Sequence, residues 1–502
     1  MTSLVLSSPL RSISVPRAFR GVALAAMTAW LSGCAVGPDY QMPSIFLPDH
    51  WGPEKQQQAA VSKPPELSEW WKRLNDPLLN DLIEQAVSGN LDVATAKAAI
   101  REARANYREA GGALLPTVDG SASATRSRSQ SSSSGKTVYG NDFEAGFDAS
   151  WELDLFGANR RAVEAAKYGM DAAEEDLRNT LLTMIGDVAS YYVEARGYQA
   201  RINLARRTAS SQRETADLTR NKFEAGASSA VDVANAIGQA SSTEADIPTL
   251  EVSYAEAVHR LSVLTGQDPV ALTKRMQGHV EIPVPPLPMP TGVPADILRS
   301  RPDVRLAERQ LAQYTARIGE AEAARYPNIS LTGSIATSAA RIGDLTENSS
   351  IGWSIGPSLS LPLFNGGQLK AAVEAAQAAR DQYYLAFRSS VLTALEDVEN
   401  AIISLDREQI KNDKLGESAD AYRDAARLSR SLYQTGASSF LDVLDAERSL
   451  YSAEDSLIQS RVAITTDYIS LNKALGGGWD GVIDASKPEV QDTDMGPHVI
   501  SD

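Results

Sequence analysis

Cysteine is almost missing from this sequence: its 502 residues contain one, Cys34. That excludes an intrachain disulfide and any cysteine-rich metal site. Histidine is nearly as scarce, with four residues, and His50, His279 and His498 lie in irregular segments. The fourth, in Glu256-Ala257-Val258-His259, has the spacing of half a di-iron motif. A helical di-iron site needs a second Glu-x-x-His, and none is present, so His259 reads as a polar helix-surface residue. Positive charge is in deficit too. Forty-eight Lys and Arg face 64 Asp and Glu, and the net charge of −16 argues against a nucleic-acid partner. No phosphate-binding loop occurs, so any energy the protein uses comes from a partner. No metal and no cofactor are expected. No run beyond the N-terminal region is long and apolar enough to cross a membrane as a helix, so any spanning part must be β.

What is present begins with an address. Arg11, Arg17 and Arg20 precede the apolar run Gly21 to Leu31, which is too short to span and reads as part of a signal peptide, residues 1–33. It ends in Leu31-Ser32-Gly33-Cys34, which resembles a bacterial lipoprotein lipobox and implies cleavage before Cys34 and lipid on that residue. Ala35 follows, where an aspartate would retain a lipoprotein at the inner membrane. The resemblance therefore implies an outer-membrane, lipid-anchored protein that extends into the periplasm.

The rest of the chain is organised around Phe147 to Phe223. From Phe147 to Leu155, Phe, Ala, Trp and Leu alternate strictly with Asp, Ser and Glu, the period of a strand with one apolar face. After Phe156-Gly157 the apolar residues recur at three or four, as in a long amphipathic or coiled-coil helix. Proline is absent from Ala158 to Ala225. Such a helix would be roughly 100 Å long. A lipid-like strand feeding so long a helix suggests a pore that leaves a membrane and becomes a tube.

This pattern occurs twice. Gly226-Ala227-Ser228-Ser229 returns as Gly436-Ala437-Ser438-Ser439, Asp232-Val233 as Asp442-Val443, and Leu115-Pro116 as Tyr326-Pro327, each roughly 210 residues later. Several words in one order at a near-constant offset mean an internal duplication. The expected organisation is a lipidated N-terminal segment and belt over 34–76, followed by a first repeat over 77–265 with strands at 117–128 and 143–156. A Pro-rich linker over 266–293 leads to a second repeat over 294–476, with strands at 328–339 and 350–364. The tail covers 477–502. Each repeat reads helix, strand, loop, strand, long helix, turn, helix. Pro77 to Ala113 is expected as one helix, and Pro248 is expected to kink the helix from Ala230 to Leu264.

The chain offers four strands, too few to close a barrel, and an open edge is not viable in lipid. Closure requires several copies, and three would supply about twelve strands. The predicted fold class is mainly α with a small membrane β part: a homotrimeric 12-stranded barrel continuing into a long coiled-coil periplasmic tunnel. Trp151, Leu153, Trp353 and Leu359 would face lipid. Asp148, Glu152, Asp154, Ser354 and Ser358 would line water.

A set of words in fixed order carries a family resemblance. It runs from Cys34 through Gly37-Pro38-Asp39-Tyr40 to Trp70-Trp71 with Asp76-Pro77-Leu78, then to Trp151-Glu152-Leu153-Asp154-Leu155-Phe156-Gly157. It continues with Arg299-Ser300-Arg301-Pro302-Asp303-Val304, Leu361-Pro362-Leu363-Phe364 and Leu441-Asp442-Val443-Leu444-Asp445-Ala446. Over roughly residues 34 to 480 the chain resembles the TolC/OprM-like outer-membrane efflux protein family, most of all its NodT-type lipoprotein branch. The resemblance implies a homotrimer in outer-membrane lipid, docked to a periplasmic adaptor and an inner-membrane pump of the resistance-nodulation-division type. It implies the exit duct of a tripartite efflux system, exporting drugs or other small compounds. Gly226, Ala227 and Ser228, with Gly436, Ala437 and Ser438, match the adaptor-contacting tips. Asp442 and Asp445 match the acidic ring of the periplasmic constriction, and Tyr433 sits where some members have a gate tyrosine. Ser438 replaces the arginine latch of some members, and the first half has Asp232 but Asn235, so the ring is expected from the second half. Asp442 would also stabilise a helix N-terminus through the dipole, a reading compatible with the pore role that the resemblance implies.

Three readings stay open at this point besides efflux. One is the outlet of a type I protein secretion system. Another is a purely structural periplasm-spanning coiled-coil lipoprotein, which would leave Trp151 and Trp353 without purpose. The third is hydrolysis by Ser354, since Gly352-Trp353-Ser354-Ile355-Gly356 fits the nucleophile-elbow pattern. An elbow needs a strand-to-helix turn, whereas the alternation here continues to Leu363, and no enzyme is expected.

Overall fold

The structure is a computed structural model that describes residues 35–44, 67–130, 135, 137–278, 281–286 and 295–480. The signal peptide, Cys34, much of the expected belt and the tail beyond 480 lie outside the described residues. The chain divides into two units. One comprises the described residues within Met1–Gln41, Ala105–Gly169 and Leu311–Tyr383; the other those within Met42–Arg104, Met170–Gln310 and Tyr384–Asp502.

The first unit is built on a four-stranded antiparallel sheet. Its strands are β1 (Thr117–Gln130), β2 (Thr137–Glu152), β3 (Asn328–Ala339) and β4 (Ile351–Ser360), in the order β1-β2-β3-β4. The β2–β3 pairing joins the two repeats, with Phe147 opposite Ile335 and Trp151 opposite Leu331. Residues directly opposite share a face, so the register sorts the sheet. Phe147, Trp151, Leu331, Ile335, Trp353 and Leu359 fall on one face. Asp119, Asp142, Glu144, Asp148 and Glu152 fall on the other. The apolar face is bare: Trp353 is 75% exposed and Phe147 62%.

Several strand boundaries differ from expectation: β1 runs on to Gln130, past 128, and β2 stops at Glu152, short of 156, where Asp154 turns to cap the start of the next helix through the N–H groups of Asn159 and Arg160. β2 begins at Thr137, not at 143, because its Ser/Gly-flanked start pairs with the end of β1, Tyr139 opposite Arg128. Strand length is set by where the partner satisfies the backbone, not by local composition. β4 stops at Ser360, not at 364: its partner β3 begins at Asn328, opposite Ser360, and Pro362 has no N–H to donate. Ser354 lies mid-strand and shares a hydrogen bond with Ser334 Oγ (2.9 Å), so the turn a nucleophile elbow needs is missing there.

Also within this unit, the segment after Cys34 is clamped. Arg161 donates to the Val36 carbonyl (3.2 Å), the Gly37 carbonyl (3.3 Å) and the Asp39 carboxylate (2.7 Å). Gly37, at φ +89°, lies on Gly319 so closely that a Cβ would sit 2.4 Å from the Gly319 Cα. Tyr40 meets Tyr168 edge-on at 5.9 Å. The Gly-Pro-Asp-Tyr word is thus a packing motif.

The longer helices among the described residues are α1 (Pro77–Gly89), α2 (Leu91–Gly112), α3 (Ala158–Glu224), α4 (Ala230–Leu264), α5 (Pro302–Ala323), α6 (Gln368–Thr435) and α7 (Phe440–Ala474). Helices α2, α3, α5 and α6 contribute residues to both units. The single helix expected over 77–113 is two. Asn90, in extended conformation, accepts from the N–H groups of Asp92 (2.8 Å) and Val93 (3.1 Å). Its amide nitrogen donates to the Leu264 carbonyl (2.9 Å), so a tertiary contact helps hold the break. Helix α4 is continuous through Pro248. Among the described residues no helix is long and apolar enough to cross a membrane.

The second unit has the main core. Trp70 and Trp71 join Leu79, Leu82 and Ile83 of α1, Ile185 and Val188 of α3, Leu261 of α4 and Tyr468 of α7. Polar anchors surround it. Asp76 caps α1 through the N–H groups of Leu78 and Leu79 and accepts from the Tyr192 hydroxyl (2.6 Å). Arg301 donates to Asp303 on α5 (2.7 Å), Asp397 on α6 (3.0 Å) and the Ala474 carbonyl ending α7 (2.7 Å). One guanidinium thereby ties three helices, which its fork of donors suits.

Candidate functional site

The two turns that reverse the long helices are built alike. Gly226, at φ +74°, and Gly436, at φ +82°, sit just past α3 and α6 in the left-handed region that glycine adopts without cost. After α3, the Ala227 N–H reaches the Lys222 carbonyl (2.7 Å) and the Gly226 N–H that of Phe223 (2.9 Å). After α6, the Ala437 N–H reaches Leu432 (2.8 Å) and the Gly436 N–H reaches Tyr433 (3.1 Å). Both are Schellman closures. Each next helix then opens with a capping box. Ser229 accepts from the Asp232 N–H, and Ser439 from that of Asp442. The carboxylates answer: Asp232 accepts from the Ser229 N–H (3.0 Å) and hydroxyl (2.8 Å), and Asp442 from the same groups of Ser439 (3.0 and 2.9 Å). Ser228 adds a bond to Asp232 (3.0 Å), whereas Ser438 turns to the Ser429 carbonyl (3.4 Å). Hydrogen bonds from Ser229, first from its backbone, hold the Asp232 carboxyl below the usual carboxylate range.

The candidate constriction residues are therefore placed differently from one another. Asp442 and Asp445 are both exposed on α7, one helical turn apart. Asp442 is also a capping residue, as is Asp232 in the first repeat, so its carboxylate has a local structural role before any role in a pore. Asp445 sits beyond the first turn with no such bond among the described contacts. Gly226, Ala227, Gly436 and Ala437 are exposed. Tyr433 is only 4% exposed and is not a free projection. It packs with Ala216, Ala236, Phe440, Val443 and Leu444 in a cluster that binds the two hairpins together. Its hydroxyl bonds Thr219 Oγ1 on α3 (3.2 Å). Lys222 Nζ lies 4.4 Å from its ring centre and donates to its carbonyl.

Behind Tyr433 is a second polar link. Arg430 on α6 pairs with the buried Glu447 on α7 (2.5 Å) and donates to Ser211 on α3, and the Thr215 hydroxyl donates to the same carboxylate oxygen (3.0 Å). These residues are absent from the sequence-based site. Arg430 and Glu447 flank the Ala437–Ser438 turn at similar distances, so a hairpin could have paired them; Thr215, Thr219 and Lys222 lie on another hairpin, and nothing local points to them. Among the described residues of the site no acid–base pair surrounds a reacting position. It is a mechanical joint with exposed carboxylates beside it.

Comparison with known proteins agrees with this architecture. A profile described as "Outer membrane efflux protein" matches residues 82–267 and 293–477, one segment in each repeat. The chain is 38% identical to a nodulation protein T of Rhizobium leguminosarum bv. trifolii, over 91% of this chain and 97% of that one. It is 32% identical to the solvent efflux pump outer membrane protein SrpC of Pseudomonas putida, over 89% of this chain and 96% of that one. Among solved structures, the outer-membrane channel OprN superposes with a TM-score of 0.84 at 34% identity, covering 89% of this chain and all of OprN. With a two-faced sheet, duplicated long helices and family matches through both repeats, the chain belongs to the outer membrane efflux protein family, whose members are outer-membrane channels and not enzymes.

Proposed function

We propose that three copies of this chain form the exit duct of a tripartite efflux system, taking small organic compounds from a periplasmic adaptor and an inner-membrane pump of the resistance-nodulation-division type. The observation that carries the reading is the sheet. Its apolar face is bare, its acids are all on the opposite face, and the outer edges of β1 and β4 have no strand partner among the described residues. Such a sheet is stable in lipid only when its edges pair with other copies. Three copies give about twelve strands, an allowed even count for an outer-membrane barrel.

A second surface calls for copies as well. Leu385, Leu392, Ile403, Ile410, Leu428 and Leu432 of α6 are each about half exposed or more. Their separations of roughly 7, 11, 7, 18 and 4 residues return each to one side of a helix. A stripe of that length suits a seam against another long helix. A single-chain scaffold leaves both this stripe and the sheet's apolar face without purpose.

In this duct Cys34 bears the lipid. The clamp of Arg161 on Val36, Gly37 and Asp39 keeps the anchor close to the start of α3, where β2 ends. The turns Gly226-Ala227-Ser228 and Gly436-Ala437-Ser438 meet the adaptor. Asp442 and Asp445, repeated by the trimer, form a negative constriction that favours cations. Tyr433 acts from behind: its buried ring and its bond to Thr219 hold the α6–α7 hairpin against α3. The solvent efflux relative supports small apolar compounds as cargo.

Planar-bilayer conductance of the purified trimer, wild type beside Asp442→Ala/Asp445→Ala, tests the reading. Cation-selective currents that rise or lose selectivity in the variant support both the duct and the constriction. Currents indifferent to the substitutions leave the duct and remove the constriction. No current from a folded trimer refutes the duct.

A further inference from the structure

Arg126 and Arg128 of β1 are on the wrong face of the sheet for water-lined charges. The register sets Arg126 opposite Asn141 and Arg128 opposite Tyr139, and the same face continues through Phe143, Phe147 and Trp151. Every acid of the sheet, Asp119, Asp142, Glu144, Asp148 and Glu152, is on the other face. Both arginines are exposed, and among the described residues neither has an ion-pair partner. Both guanidinium carbons lie 5.9 Å from the ring centre of Tyr139.

Their height along the sheet is informative. The helix-connected ends of the strands are Thr117, Glu152, Asn328 and Ser360, and the arginines are near the opposite, hairpin end. From Trp151 to Tyr139 is about 40 Å along β2, or about 30 Å of height at the usual strand tilt, close to a hydrocarbon thickness. Trp151 and Tyr139 thus mark the two interfaces, where aromatic girdles form. Arginine on the lipid face is strongly unfavourable at the midplane and tolerated at the interface. With the helices in the periplasm, the interface at Tyr139 is that of the outer leaflet.

We propose that Arg126 and Arg128, backed by Tyr139, form a binding site for the phosphorylated glycolipid of the outer leaflet, taking a lipid A phosphate. Two guanidinium forks two residues apart on one strand face suit a phosphate, which guanidinium binds through paired donors. The acyl chains would lie over Phe143, Ala145 and Phe147 below. Three copies would place three such sites around the barrel. This inference rests on the barrel reading above.

The test is thermal unfolding of the detergent-solubilised trimer with added lipid A, with dephosphorylated lipid A, and with phosphatidylglycerol, for wild type and Arg126→Gln/Arg128→Gln. Conductance of the same preparations is recorded alongside. The expected result is stabilisation of wild type by bisphosphorylated lipid A above both other lipids. Binding should be roughly thirtyfold weaker in the variant, from about fivefold per arginine at a charged membrane surface. Equal stabilisation by phosphatidylglycerol, or an undiminished lipid A response in the variant, overturns the site while conductance upholds the barrel. Loss of both trimer and conductance in wild type overturns the barrel and the site together.

Discussion

The phenol of Tyr433 on α6 is hydrogen-bonded to the hydroxyl of Thr219 on α3, 3.2 Å away, inside the apolar cluster where the two helical hairpins meet. A buried bond of this kind contributes about 1 kcal/mol net. Tyr433→Phe removes it without opening a cavity and should loosen the hairpin contact by that amount. The expected readout is a modest rise in open-channel current. Tyr433→Ala also removes the ring, costs about 3–5 kcal/mol locally, and should give a much leakier pore. Equal currents from both variants would detach Tyr433 from gating.

Asp442 and Asp445 should separate under substitution. Asp445→Asn removes charge alone and should lower cation selectivity with no change in unfolding temperature. Asp442→Ala removes charge and a capping box, so about 1 kcal/mol of helix stability goes with the selectivity. Paired selectivity and thermal-unfolding measurements on the two variants check this.

The depressed Asp232 carboxyl gives a pH dependence at the first turn. Because its folded pKa is lowered, the capping contribution is present above the ordinary carboxylate range, about pH 4, and is lost as pH falls through the lowered value. Hydrogen-exchange protection around Ser229–Asp232, corrected for intrinsic rates, should drop in acid. Asp232→Asn should be indifferent to pH over that window.

Glu447 is buried, while Arg430 is about one-third exposed. Glu447→Gln leaves the arginine without its charge partner and should destabilise by about 2 kcal/mol, less than a fully buried pair because water reaches the guanidinium. Arg430→Met/Glu447→Met should recover most of that loss. Thermal unfolding of the single and double variants decides.

The α6 stripe predicts assembly. Leu392→Glu/Ile403→Glu puts charges into the proposed seam, and native electrophoresis should show monomer in place of trimer. An intact trimer would remove α6 from the interface.

Much of the architecture was legible in local pattern. Strict alternation from Phe147 and three-four spacing after Gly157 identify strand and helix, because side-chain period follows directly from backbone geometry, although the alternation runs on to Leu155 and the strand stops at Glu152. The repeated Gly-Ala-Ser-Ser words locate the turns, since few residues other than glycine adopt the positive φ they need. Where expectation failed, a distant partner decided. Asn90 breaks a helix that composition would continue, helped by the Leu264 carbonyl. The start of β2 follows β1 and the end of β4 follows β3.

By itself the sequence determined the duplication, the element types and the turns, because each depends on residues within a few positions of one another or on plain repetition. The tertiary structure alone decided that Tyr433 is buried and not projecting, that Asp442 caps as it presents charge, that Glu447 answers Arg430 and Thr215 together, and that Arg126 and Arg128 share a face with Phe147. Each of these is a relation between segments brought together by register or packing, and periodicity has no memory of a partner on another helix or strand.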